Sequence, residues 1–383
     1  MKNVTSQGIS PSDTSPCAKA LNKLLQEEPG NWSFPAGTYL IDETLRIPSH
    51  THLKLEDGAT LKLADGAAKT ANDYLLCNAD PEKGNEDITL EGGCFDGNQI
   101  GNPRPEGLFT DGYTGAMIHF ENVRGLKLFN LTMSNAEAYY SRYTHVHDFH
   151  IENITFDSQK IRHNNDGIHL GGNCSHGIIR KIRALTPEVT GDDLVALNAD
   201  DALTRNEVRG MTNGPITDIQ IEDLEADSCH TFVRLLSVFS PIRNISIHKI
   251  RGGCQVGAIN ADGARHCRVP VFDHDNPPNP DGVGLLENID IRDVIISKRK
   301  AGNQHGLFDL QERMVNFRIQ NFERVLSRDL CPEAPTIRLR YNILKDGQID
   351  EMILEDINTL DSEEPFEIFP VKFAQLALRT SAE

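Results

Sequence analysis

The chain has 383 residues, 38% hydrophobic and 25% charged, with 38 Lys plus Arg against 56 Asp plus Glu and a net charge of −18. That composition supplies enough apolar residues for a long core, and the acidity argues against nucleic acid or an anionic membrane as a partner. No apolar run approaches the roughly 18 residues of a membrane span. The opening MKNVTSQGISPSD lacks the apolar segment of a signal peptide, so a cytoplasmic location is the expectation.

In chain order, Ser12-Asp13-Thr14 followed by Ala18, Leu21, Leu24 and Leu25 predicts a short capped amphipathic helix. Such a helix could cover the open end of a stack of strands, with residues of about 10–40 as an N-terminal cap. Trp32 to Tyr39 reads as a strand broken at Pro35-Ala36-Gly37. Beyond residue 40 the chain turns into strand-length apolar pieces punctuated by Gly58 and Gly66.

A pattern then recurs without sequence identity: a polar turn residue, often Asn, followed by alternating apolar residues. It appears around Leu126–Leu131, Phe149–Phe156, Gly177–Ile182, Ile219–Leu224, Asn244–Ile250, Asn288–Ile291 and Asn316–Ile319. A spacing of roughly 23 to 29 residues is that of one coil of a parallel β-helix, an all-β architecture in which each strand stacks on its equivalent in the next coil. The recurring Asn residues suit left-handed turn positions, which Asn tolerates. The sequons at Asn130 and Asn153 are read as that turn chemistry. Residues 199–214 and 265–284 are polar and rich in Gly or Pro, and read as long loops walling a cleft. Residues of about 333–383 hold the last coils and an acidic tail, so one domain over 1–383 is expected. The eight scattered cysteines lack a CxxC and read as reduced, buried side chains.

Two stretches carry the chemistry. Asn164-Asn165-Asp166-Gly167-Ile168-His169-Leu170 and Gly191-Asp192-Asp193-Leu194-Val195-Ala196-Leu197 place three aspartates beside strand-like apolar runs. Carboxylates in such positions must face water or a ligand. If the runs are neighbouring rungs, about 4.8 Å apart, the three acids crowd one cleft. Crowded like charges raise at least one pKa, the requirement for splitting a glycosidic bond with one protonated and one ionised carboxyl group. His169 and Asn198 are candidate sugar contacts. Tyr139, Tyr140 and Tyr143 form either an aromatic ladder or a stacking platform. The cluster His145-Val146-His147 with His150 lacks a carboxylate or cysteine to complete a ligand set, and Asp273-His274-Asp275 reads as a solvated loop with a calcium or substrate contact as the alternative, so no metal and no cofactor are expected.

Several segments together resemble glycoside hydrolase family 28, the polygalacturonase-like right-handed parallel β-helix enzymes. These are Phe34-Pro35-Ala36-Gly37-Thr38-Tyr39, Gly92-Gly93-Cys94-Phe95-Asp96-Gly97-Asn98, Asn164-Asn165-Asp166 and Gly191-Asp192-Asp193. The resemblance covers about residues 10 to 320 and implies an inverting hydrolase. Asp193 would then be the general acid, and Asp166 and Asp192 would position and deprotonate water. His230 stands where the family has Gly-His-Gly, without the glycines. The family's Arg-Ile-Lys is replaced by Gly257-Ala258-Ile259-Asn260, leaving Arg234 as the nearest cation for a substrate oxygen or carboxylate. An oligosaccharide is the expected partner, with exo action on imported fragments, and the long loops could build a homo-oligomer. A β-helix lyase or epimerase and a non-catalytic carbohydrate-binding β-helix are the alternatives.

Overall fold

The computed structural model describes residues 1–104, 115–203, 210–263 and 284–339, with side chains through 338, and the backbone of short strands between 347 and 379. The Asp273-His274-Asp275 motif and the acidic patch at 361–364 lie outside the described residues.

The described strands form a right-handed parallel β-helix. Its regularity is visible in one apolar column. Leu53, Leu90, Leu128, Ile151, Ile179, Ile221, Ile247, Ile291 and Ile319 pair rung to rung in parallel register. All of these side chains are buried. A second inward column runs Ile168, Val195, Val233, Ile259, Phe308, Ile337. Each such aliphatic side chain contributes about 1.5–3 kcal/mol on burial. The core is therefore a stack of like residues, and no single contact dominates it.

The recurring polar turn residue marks two corners of each coil. At one corner Asp148, His176, Asp218, Asn244, Asn288 and Asn316 all have φ between 52° and 61°. At the other stand Asn130, Asn153, Lys181, Asp223, Lys249, Asp293 and Asn321, again all left-handed. The sequence reading of Asn130 and Asn153 as turn positions therefore holds. The corners also bond to each other along the stack. Asn244 donates to Asp218 at 2.9 Å, Asn288 to Asn244 at 2.9 Å and Asn316 to Asn288 at 2.8 Å.

The N-terminal helix spans Ala18–Glu27 and buries Ala18, Leu21 and Leu25. Its expected cap is not at Ser12 or Asp13. Ser12 Oγ instead accepts the amides of Thr14 and Ser15 in a separate turn, and the helix starts after Cys17 without a side-chain cap. The strand read over Trp32–Tyr39 is split at Pro35-Ala36 into Asn31–Phe34 and Gly37–Ile41. Tyr140 and Tyr143 are core residues, the latter stacked on Phe120 at 6.3 Å, so they offer no platform to a sugar. Seven described cysteines are free, five of them buried.

Asn288→Val places a β-branched residue at a left-handed corner and breaks the Asn ladder on both sides. It is expected to lower stability by about 1–2 kcal/mol, with Asn288→Gly closer to the unaltered protein. Urea unfolding midpoints of the two variants check this.

Candidate active site

The outward side of one sheet carries a polar column. Arg142, His169, Ala196, Arg234, Asn260, Asp309 and Arg338 occupy successive rungs in register. The three aspartates lie upstream of His169 and Ala196 on two adjacent rungs of this column. Ile168 pairs with Val195, so Asp166 and Asp193, each two residues upstream, fall at matching places on adjacent rungs. The Gly167 amide donates to the Asp193 carbonyl at 2.9 Å and fixes that alignment. The Thr190 hydroxyl holds the Asp192 carbonyl at 2.7 Å. His230 comes alongside from the next rung, its Nδ1 3.4 Å from Asp192 Oδ1. The sequence reading of one cluster built from neighbouring coils is what the backbone register produces.

The cluster is far less open than the sequence suggested. Asp166 and Asp193 are only 3% and 2% exposed. The Asp192 and His230 side chains, 21% and 36% exposed, form its solvent edge. Burial has electrostatic consequences. It raises the Asp193 carboxyl well above the ordinary range, reinforced by Asp192 and opposed by Arg234. Asp166 is raised to about 6 by burial and Asp192, with His169 and Arg234 pulling the other way. Burial lowers His230, and Arg234, Lys300 and His163 add to that against the opposing pull of Asp192.

Two expected sugar contacts are placed otherwise. His169 is 1% exposed, and both ring nitrogens are taken: Nδ1 meets Asp166 Oδ2 at 2.6 Å and Nε2 meets Asp201 Oδ2 at 2.6 Å. Asn198 is 4% exposed and donates to Asp201 Oδ1 at 3.3 Å. Neither lines a sugar subsite, because each is used to satisfy a buried carboxylate. Arg234 does reach the acids, with Nη1 3.8 Å from Asp193 Oδ2. Its main commitment is to Asp262 Oδ1, at 2.9 and 3.2 Å. Asp201 and Asp262 have no role in the sequence reading of the site. Asp201 falls in the stretch 199–214 that reads as a loop, although only Ala199 separates Asp200-Asp201 from the Asp193–Asn198 strand. Asp262 follows Ala261 at the end of the strand that also carries Asn260.

Among the described residues, Asp192, Asp193 and His230 are the group whose donor atoms come within 4.8 Å of one another, close enough to hold a metal ion. The Arg234 charge beside Asp193 works against a cation there. The histidines at 145, 147 and 150 do not form such a group; His147 instead shares a 2.8 Å hydrogen bond with Ser175.

Residues 86–225 match the family model described as glycosyl hydrolases family 28, a stretch that includes Asp166, Asp192 and Asp193. No curated protein matches the chain. Among solved structures, a family 28 exopolygalacturonase of Yersinia enterocolitica shares 14% identity over 98% of this chain and 78% of its own, with a TM-score of 0.58. A hyperthermoactive exopolygalacturonase of Thermotoga maritima shares 16% over 98% and 91%, with a TM-score of 0.55. The A-module of the mannuronan C-5 epimerase AlgE6 of Azotobacter vinelandii shares 10% over the full length of both chains, with a TM-score of 0.54. At these identities the likeness is one of fold. Residues 86–225 carry the family 28 sequence signal, and over the rest of the chain the likeness is to the right-handed β-helix fold.

Replacing Arg234 by Met removes the counter-charge that faces Asp262 and Asp193 in a buried site. A loss of about 3–5 kcal/mol is expected. Adding Asp262→Asn should recover part of it, as read from denaturant unfolding of the single and double variants.

Proposed function

We propose that this protein is an inverting glycosidase that cleaves an oligosaccharide with Asp193 as general acid and Asp166, with Asp192, as the base for water. The observation that carries this reading is the register match of Asp166 and Asp193 on adjacent rungs, in surroundings that treat their charges differently. Two unit charges about 5 Å apart at an effective dielectric of about 20 repel by about 3 kcal/mol, or more than two pKa units. Both buried acids therefore do not ionise together. His169 sits against Asp166 at 2.6 Å and favours its ionised form. Asp193 has Arg234 only at 3.8 Å and keeps an unpartnered Oδ2. The proton resides on Asp193, ready for the leaving oxygen, and Asp166 is left to take a proton from water.

His230 and Asp192 border the open edge and are positioned to meet the first sugar hydroxyls. The nearly closed setting of the two acids supports entry of a chain end, hence exo action. The substrate is a plant or microbial oligosaccharide. The outward column continues from Arg234 to Asn260 and Asp309, so its next two steps present no cation to a uronate carboxylate. This supports a sugar whose recognition does not depend on the cations that the family places there. The base of a lyase or epimerase would be a neutral His or Lys, or an Arg, facing the sugar. The site offers His169 locked between carboxylates and Arg234 held by Asp262, which supports hydrolysis instead.

Asp193→Asn is expected to lower kcat/KM by about 10²–10⁴-fold with the fold retained. A panel of neutral and uronic-acid oligosaccharides, with product anomers followed by NMR, tests the mechanism. Inverted products support it; retained configuration or an unsaturated, ultraviolet-absorbing product contradicts it. Because the base must be ionised, kcat/KM should fall as pH drops through about 6, the value to which Asp166 is raised. It should fall again at higher pH as Asp193 loses its proton.

A further inference from the structure

His169 does more than fill space beside the acids. Its two ring nitrogens each lie 2.6 Å from a carboxylate oxygen, of Asp166 on one side and Asp201 on the other. A neutral imidazole has one donor and one acceptor. Two carboxylates can both be satisfied only if the ring carries both protons, or if one acid is itself protonated. All three side chains are at most 6% exposed, so water does not complete the set.

We propose that His169, held as an imidazolium between Asp166 and Asp201, is the positioning residue that keeps Asp166 ionised and aimed at the hydrolytic water. This role rests on the hydrolase reading above. Asp201 is the anchor of the arrangement. It sits in the short helix Asp201–Leu203 just after the Asp193–Asn198 strand, and Asn198 steadies its other oxygen at 3.3 Å. Tyr139 presents its ring 4.7 Å from the imidazole in an edge contact. Arg142 occupies the paired position on the preceding rung, with its guanidinium 5.8 Å from the Tyr139 ring, and Ala196 occupies that on the following rung. Among the described residues, Asp166, Asp201 and Arg142 are thus the charged groups around the ring, two acids in direct contact and one cation on the neighbouring rung.

The electrostatics agree with the geometry. Burial opposes a charged His169, but Asp201 and Asp166 outweigh it and raise the group to about 10. Asp201 is lowered: burial opposes its charge, and His169 and Arg142 overcome that. A carboxylate on the far side of a histidine thereby strengthens the cation that the catalytic carboxylate sees. Without the His169 cation, burial and Asp192 would favour the protonated form of Asp166, with Arg234 left to oppose them.

The test uses the full chain with ¹⁵N-labelled histidine, together with Asp201→Asn and His169→Asn. In the unaltered protein one imidazole, identified by its loss in His169→Asn, should keep both nitrogens protonated to about pH 9. Asp201→Asn should let that ring titrate at least one pH unit lower. It should also move the acid limb of kcat/KM up by about one unit, with KM little changed. A His169 ring that is neutral at pH 7 would overturn the proposal. Superimposable pH profiles in an active protein would overturn the role alone. Absence of hydrolysis in the unaltered protein, with the ring still doubly protonated, would overturn the hydrolase reading and this role with it.

Discussion

The site depends on one constraint: carboxylates placed at the same position of adjacent rungs are held close together whether or not their charges agree. The spacing belongs to the backbone hydrogen bonds, which fix neighbouring parallel strands about 4.8 Å apart. Side chains cannot relax away from it without breaking the ladder. Mutual repulsion then has to be resolved by protonation, by counter-charge or by both. Here both occur. In the arrangement proposed, Asp193 takes the proton, while His169 and Arg234 supply cations that are themselves tied to Asp201 and Asp262. The second pair of aspartates completes the charge balance around the first three.

The same regularity made much of the fold legible. Ile179, Ile221, Ile247 and Ile291 fall in one column because each strand repeats the alternation of apolar and polar residues, and that alternation can be seen without coordinates. The Asn at 153, 244, 288 and 316 announce left-handed corners for a reason internal to the residue, its tolerance of positive φ. Lysines at such corners are harder to see: Lys181 and Lys249 take the same left-handed conformation with no sequence signal of their own, because the coil imposes it.

At the site, sequence reasoning found the acids and misjudged what surrounds them. Asp166, Asp192 and Asp193 could be paired because the length of one coil is visible in the spacing. His169 and Asn198 are candidate sugar contacts by their place beside the acids, but the protein itself supplies their partner: Asp201, from a stretch that reads only as loop. Tyr140 and Tyr143 take the ladder alternative, large amphipathic rings that turn inward because the coil alternation places them there. Long-range pairing between a strand and the loop that follows the next strand has no local pattern, so register alone could not reveal it.

The distribution of protons over Asp166, Asp193 and His169 is the feature from which the chemistry follows. Neutron diffraction from deuterium-exchanged crystals at neutral pD would locate them directly. The account predicts deuterium on an Asp193 oxygen and on both His169 nitrogens, with none on Asp166. Deuterium on Asp166 beside a bare Asp193 would contradict it.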